Sequence, residues 1–147
     1  DALLICRIKI MDGIKPATIL AGLSHISSVI SAVILMFIPL FAGSEIIAQS
    51  GGLNQLSETK LTLIEMNGTG AILTLIFPWV VTGLSVVSTI MGAPERKEAK
   101  KVLWRWRSYS WGAAIVMAFF VALSFTTLGI FYIPALALTI GAAIFNK

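Results

Sequence analysis

Charge is missing from three long stretches of this 147-residue chain: residues 16–44, 66–94 and 108–146 contain no Asp, Glu, Lys or Arg. A hydrocarbon core about 30 Å thick takes roughly 20 helical residues to cross, so the first two stretches can each span once and the third can span twice with shorter helices. Cysteine is nearly absent as well. Cys6 stands alone, which excludes an internal disulfide and any paired-cysteine metal spacing. It reads as a small hydrophobe, because Ile5-Cys6-Arg7 carries no lipidation signal. Histidine occurs once, at His25, so bis-histidine haem ligation within one chain is excluded. The chain also lacks a Gly-rich phosphate loop, a His-Glu-x-x-His sequence and a carboxylate inside any apolar stretch. Ser24 and His25 are adjacent but leave a helix in different directions, and no buried acid is available to orient the imidazole. No enzyme is expected.

What is present is apolar mass. Hydrophobic residues make up 57% of the chain, above the about 45 to 50% of soluble domains even with Gly counted in the latter. The expected fold is a single all-α integral membrane domain with four transmembrane helices at residues 16–41, 68–91, 109–126 and 131–146. Pro16 suits a first helical turn, Gly92-Ala93-Pro94 ends the second helix, and a tight turn at Gly129 divides the last uncharged stretch. Residues 1–15 read as an interfacial arm, too short and mixed to cross a bilayer. Asp1 in place of Met leads us to expect a preceding segment, with Ala2 to Cys6 as the tail of an apolar stretch or of a processed leader. In the loop at 43–65, Leu53, Leu56, Leu61 and Ile64 suit a short surface helix, while the alternation of Leu61 and Leu63 about Thr62 suits a strand equally well; the helix is the preferred reading.

The charges are sorted. Arg7, Lys9 and Lys15 precede the first helix, Arg96, Lys97, Lys100, Lys101, Arg105 and Arg107 fill the connector at 94–107, and Lys147 follows the last helix. The 43–65 loop has only Lys60 against Glu45, Glu58 and Glu65. Four crossings place every basic cluster on one side, which the positive-inside rule makes cytoplasmic; a plasma or inner membrane protein with both termini inside is expected. The formal net charge of +4 does not point to nucleic acid, because the basic residues lie beside the apolar segments.

Few residues invite chemistry. His25 is ionisable and falls inside the first span, so it is the candidate cofactor-binding residue: neutral imidazole with small neighbours could ligate a haem or chlorophyll-type pigment. The plainer reading gives it a hydrogen bond to a serine or backbone carbonyl across a helix interface. Pro78 predicts a bend at mid-depth in the second helix, Pro39 lies near the outer end of the first, and Pro134 falls in the first turn of the fourth. Small residues at four-residue spacing (Ser24, Ser28, Ala32; Ala114, Ala118, Ala122; Ala135, Thr139, Ala143) predict close helix packing within the chain or against neighbours. Trp104, Arg105, Trp106, Arg107, Tyr109 and Trp111 predict an interfacial anchor touching membrane lipids, including anionic headgroups. Asn67-Gly68-Thr69 matches a glycosylation acceptor at the membrane boundary. The expected function is a non-enzymatic accessory or structural subunit bound to other membrane protein subunits. The alternatives are a small transporter or channel component, drawing on Thr74, Thr82, Ser85 and Ser88, and His25-dependent pigment binding within a complex.

Overall fold

The computed structural model describes residues 15–48, 54–92 and 100–146. The four expected helices are present: α1 (Pro16–Phe37), α3 (Gly70–Met91), α4 (Lys100–Leu123) and α5 (Ile130–Phe145). Each contains or joins a run long and apolar enough to cross a membrane, and the chain is an integral membrane protein with four such helices among the described residues. The interfacial arm and Cys6 fall outside the described residues, as do Ser50-Gly51-Gly52, whose sequence predicts a break in any regular element, and Pro94, Glu95 and Glu98, which read as a helical first turn. By its contacts the chain forms two compact units, one within Asp1–Val29 and Pro78–Lys147, the other Ile30–Phe77.

The second unit holds an element that the charge pattern does not announce. Residues Phe41–Ala48 (β1) and Asn54–Leu61 (β2) pair antiparallel, with Phe41 opposite Leu61 and Ala48 opposite Asn54. The preferred surface helix is thus replaced by a ribbon over most of the 43–65 loop. Helix survives only in α2, Leu63–Asn67. At Gly43 a Cβ would meet the end of the Leu61 side chain, which lies diagonally across the ladder and would have to shift. Thr62 separates strand from helix with a capping box: its hydroxyl accepts from the Glu65 amide at 3.3 Å, and its own amide donates to the Glu65 carboxylate at 2.7 Å. The Thr62 amide, with the Thr62 hydroxyl donating to the same carboxylate at 2.9 Å, holds the Glu65 carboxyl below the usual carboxylate range, the amide contributing most. Gly68 stops α2 at φ 59°, ψ −148°, a conformation open essentially to glycine alone.

Helix ends shift for identifiable reasons. The last backbone bond at the end of α1 runs from the Ile38 amide to the Ile34 carbonyl at 2.9 Å, and Pro39 follows directly, so the helix stops four residues short of Phe41. Helix α4 starts at Lys100, inside the basic connector. Nothing between Lys100 and Ser108 breaks a helix, and charge there marks the edge of the hydrocarbon instead of the edge of the helix. Between α4 and α5 the chain makes a π-helical turn, Phe125–Gly129. The Ser124 carbonyl receives the amides of Thr127, Leu128 and Gly129 at 3.0, 2.9 and 2.6 Å. Gly129 has an ordinary helical φ of −59°; glycine is required because a Cβ there would run into the Val121 carbonyl oxygen. The turn also lengthens the last crossing to Phe125–Phe145, 21 residues, and places Pro134 just past the first turn of α5.

Within the first unit the helix ends are sorted. The Lys15 ammonium donates to the Gly92 carbonyl at 3.1 Å, and a Cβ at Gly92 would sit 3.2 Å from Asn146 Oδ1 and 3.7 Å from Trp106 Cβ. The start of α1, the end of α3, the early part of α4 and the end of α5 therefore meet. Toward the other end of the α4–α5 pair, the Phe120 and Tyr132 rings meet edge to face, 5.5 Å apart. Helices α4 and α5 accordingly form the antiparallel hairpin expected of the last uncharged stretch.

Candidate functional site

Burial follows the helical period. On α1 the buried row is Ala17, Ala21, Ser24, Ser28, Ser31 and Leu35, in alternating steps of four and three. Strict four-residue spacing drifts about 40° per step, which is why Ser31 is buried where Ala32 was expected. The same drift leaves Ala118 half-buried and Ala122 exposed on α4, whose buried row is Ser110, Ala113, Ala114, Met117 and Val121. On α5, Ala135, Thr139 and Ala143 are all buried as expected.

The interior of the first unit is rich in hydroxyls, and two nodes organise it. Ser24 and Thr139 approach to 2.6 Å and both reach the Ala135 carbonyl, at 2.7 and 2.8 Å, so two hydroxyl protons serve three contacts, two between α1 and α5 and one within α5. The second node is His25. Its Nε2 lies 2.9 Å from Trp79 Nε1, and an indole N–H can only donate, so Nε2 is the unprotonated nitrogen. The neutral ring then carries its proton on Nδ1 and donates it to Thr82 Oγ1 at 3.1 Å, while the Thr82 hydroxyl donates to the Pro78 carbonyl at 2.8 Å. Gly83 brings the α3 backbone beside the ring: a Cβ there would stand 3.5 Å from His25 Cε1.

His25 is thus partnered by an indole and a threonine, not by the serine or carbonyl expected of it. Trp79 and Thr82 are three residues apart on one helix, but their depth matches that of His25 only once Lys15 is known to meet Gly92, ten residues or about 15 Å from His25 and Thr82 alike. A neutral imidazole offers one lone pair, and Trp79 takes it. Ligation of a haem or chlorophyll-type metal by His25 would compete directly with that bond. Among the described residues, no group of three or more His, Cys, Asp or Glu side chains could hold a metal ion.

Other polar groups are buried without a partner: the hydroxyls of Ser28, Ser85, Ser110 and Tyr132 and the Asn146 amide nitrogen. Each such group costs about 1–3 kcal/mol if it stays unsatisfied. Of the hydroxyls proposed for a pathway, Thr82, Ser85 and Ser88 are fully buried, while Thr74 remains half-buried and bonds back to the Gly70 carbonyl at 3.4 Å. Thr89, also fully buried, was missed.

The expected anchor divides. Trp106 turns toward Gly92 and packs on Tyr109, with ring centres 5.6 Å apart, while Trp104, Tyr109 and Trp111 face outward. Trp104, Arg107, Ser108, Trp111, Gly112 and Ile115 line an open groove of about 500 Å³ along one side of α4. Comparison with family models, curated proteins and solved structures gives no match. No activity is carried over from a relative.

Proposed function

We propose that this protein is a non-enzymatic accessory or structural subunit of a larger membrane complex, with its termini and basic connector on the cytoplasmic side. The observation that supports this reading is Gly22: it lies inside α1, and a Cβ there would meet nothing within 4 Å among the described residues. A helix-interior glycine costs about 1 kcal/mol relative to alanine, and in lipid its use is to let another helix approach closely. The exposed Ala122 on α4 offers the same opportunity. Gly22→Leu should release the chain from the complex extracted in mild detergent without lowering its own thermal stability, since replacing the glycine favours the helix. A single-chain particle from native membranes, folded and free of other proteins, would overturn the proposal. At the membrane surface, the segment Trp104–Arg107 meets lipids, with anionic headgroups at its arginines.

The unpartnered hydroxyls favour a second reading, a small transporter or channel component, since polar groups inside a membrane helix bundle mark routes for polar solutes. Reconstituted vesicles that pass no ion or small solute would remove it.

A further inference from the structure

The two arginines flanking Trp106 are not equivalent, and the groove on α4 distinguishes them. Arg107 lines it; Arg105 does not. The lining residues recur at steps of three, one, three, one and three, a single stripe that runs about 16 Å from Trp104 to Ile115. Its upper end holds a guanidinium between two indoles, with Trp104 70% exposed, at the point where the membrane-spanning part of α4 begins. Its floor is Ser108 and Gly112, and among the described residues nothing lies within 4 Å of where a Cβ at Gly112 would stand. Its lower end is the exposed, apolar Ile115. Cation at headgroup level, cleared floor and apolar exit follow the order of a phospholipid from phosphate to acyl chain.

We infer that this groove is a binding site for one anionic phospholipid: Arg107 pairs with the phosphate, Trp104 and Trp111 flank the headgroup and glycerol, and an acyl chain lies over Gly112 and Ile115. The inference rests on the lipid contact proposed above for Trp104–Arg107 and adds a defined site to it. A diffuse basic surface treats neighbouring arginines alike and is indifferent to the size of residue 112. The groove does neither.

The test uses the full chain, stripped of lipid in mild detergent and titrated with phosphatidylglycerol or phosphatidylcholine, with bound lipids counted by native mass spectrometry. One phosphatidylglycerol per chain should bind ahead of phosphatidylcholine. Arg107→Gln should weaken it about fivefold or more, the scale of one basic residue at an anionic surface. Arg105→Gln should leave it near the unmodified affinity, and Gly112→Leu, which fills the floor without touching charge, should weaken it comparably to Arg107→Gln. Equal losses for the two arginine variants, or full binding by Gly112→Leu, would overturn the site and leave only a general lipid contact. Retention of neither phospholipid would overturn the lipid contact as well.

Discussion

The inside of the helical unit and its outside invert the usual distribution of side chains. Inward lie Ala17, Ala21, Ser24 and Ser28 of α1, Thr82, Ser85 and Ser88 of α3, and Thr139 of α5, all fully buried. Outward lie Ile19, Leu23 and Ile26 of α1, Val80, Leu84 and Val87 of α3, and Ile115 and Phe119 of α4. In water this sequence would expose its largest apolar groups and bury its hydroxyls. In lipid the arrangement is reasonable, because hydrocarbon tails solvate leucine as well as a protein core does; what remains to hold helices together is close approach and hydrogen bonding. Side-chain volume, more than polarity, separates the two sides.

That contrast can be broken at its tightest point. Gly129→Ala inserts a methyl group against the Val121 and Ser124 backbone, which cannot move as a side-chain end would, so we expect a loss of about 3 kcal/mol or more, read as a lower midpoint in denaturant titration of the detergent-solubilised chain. Overpacking the interior comes next. Ala21→Leu should cost about 1–3 kcal/mol, whereas Leu23→Ala, on the outward side, should change the midpoint by less than about 0.5 kcal/mol. Equal effects for the two would mean that the interior is not packed by small residues.

Hydroxyls provide a finer division. Ser24→Ala removes contacts to Ala135 and Thr139 and should cost about 0.6–1.5 kcal/mol. Tyr132→Phe removes a buried hydroxyl that has no partner and should be neutral or stabilising; a clear loss on Tyr132→Phe would show that its hydroxyl is engaged. The smallest effect lies outside the spans, at Glu65. Its carboxyl is held low in the folded chain by Thr62, so its contribution is present above the ordinary carboxylate range and is lost as pH falls through the lowered folded value. The protection factor of the Thr62 amide, its exchange rate corrected for the intrinsic pH dependence, should fall at that point, and Glu65→Gln should make that factor insensitive to pH.

Much of the architecture was legible because uncharged length is a direct physical requirement of the bilayer. The four helices, the hairpin of the last two and the small-residue row of α5 follow from it. The ribbon did not, since eight-residue strands containing Gly, Ser, Glu and Lys carry no clear two-residue period, and a helical spacing of leucines competed with it. The start of α4 was misplaced because charge was taken as a helix boundary. The row on α4 leaves the chain's own interior along its length, because equal four-residue steps do not stay on one side of a 3.6-residue helix. At the site, His25 was legible as an outlier, but its partners depend on which helices become neighbours, and that is not local information. The α4 groove required knowing that Trp106 turns inward while Trp104 and Trp111 do not.

The hydrogen bonds at His25 form a closed circuit: they leave α3 at Trp79, pass through one imidazole of α1 and return to α3 at Pro78 through Thr82. The small residues of α1 nearly repeat at every turn, so a slide of α1 by one turn would put Ala21 or Val29 where His25 now stands and preserve much of the small-against-small packing. The circuit would not survive that slide. A lone polar residue in an otherwise near-repeating surface thus serves as an index mark, making one docking of α1 deeper than the near-equivalent ones a turn away.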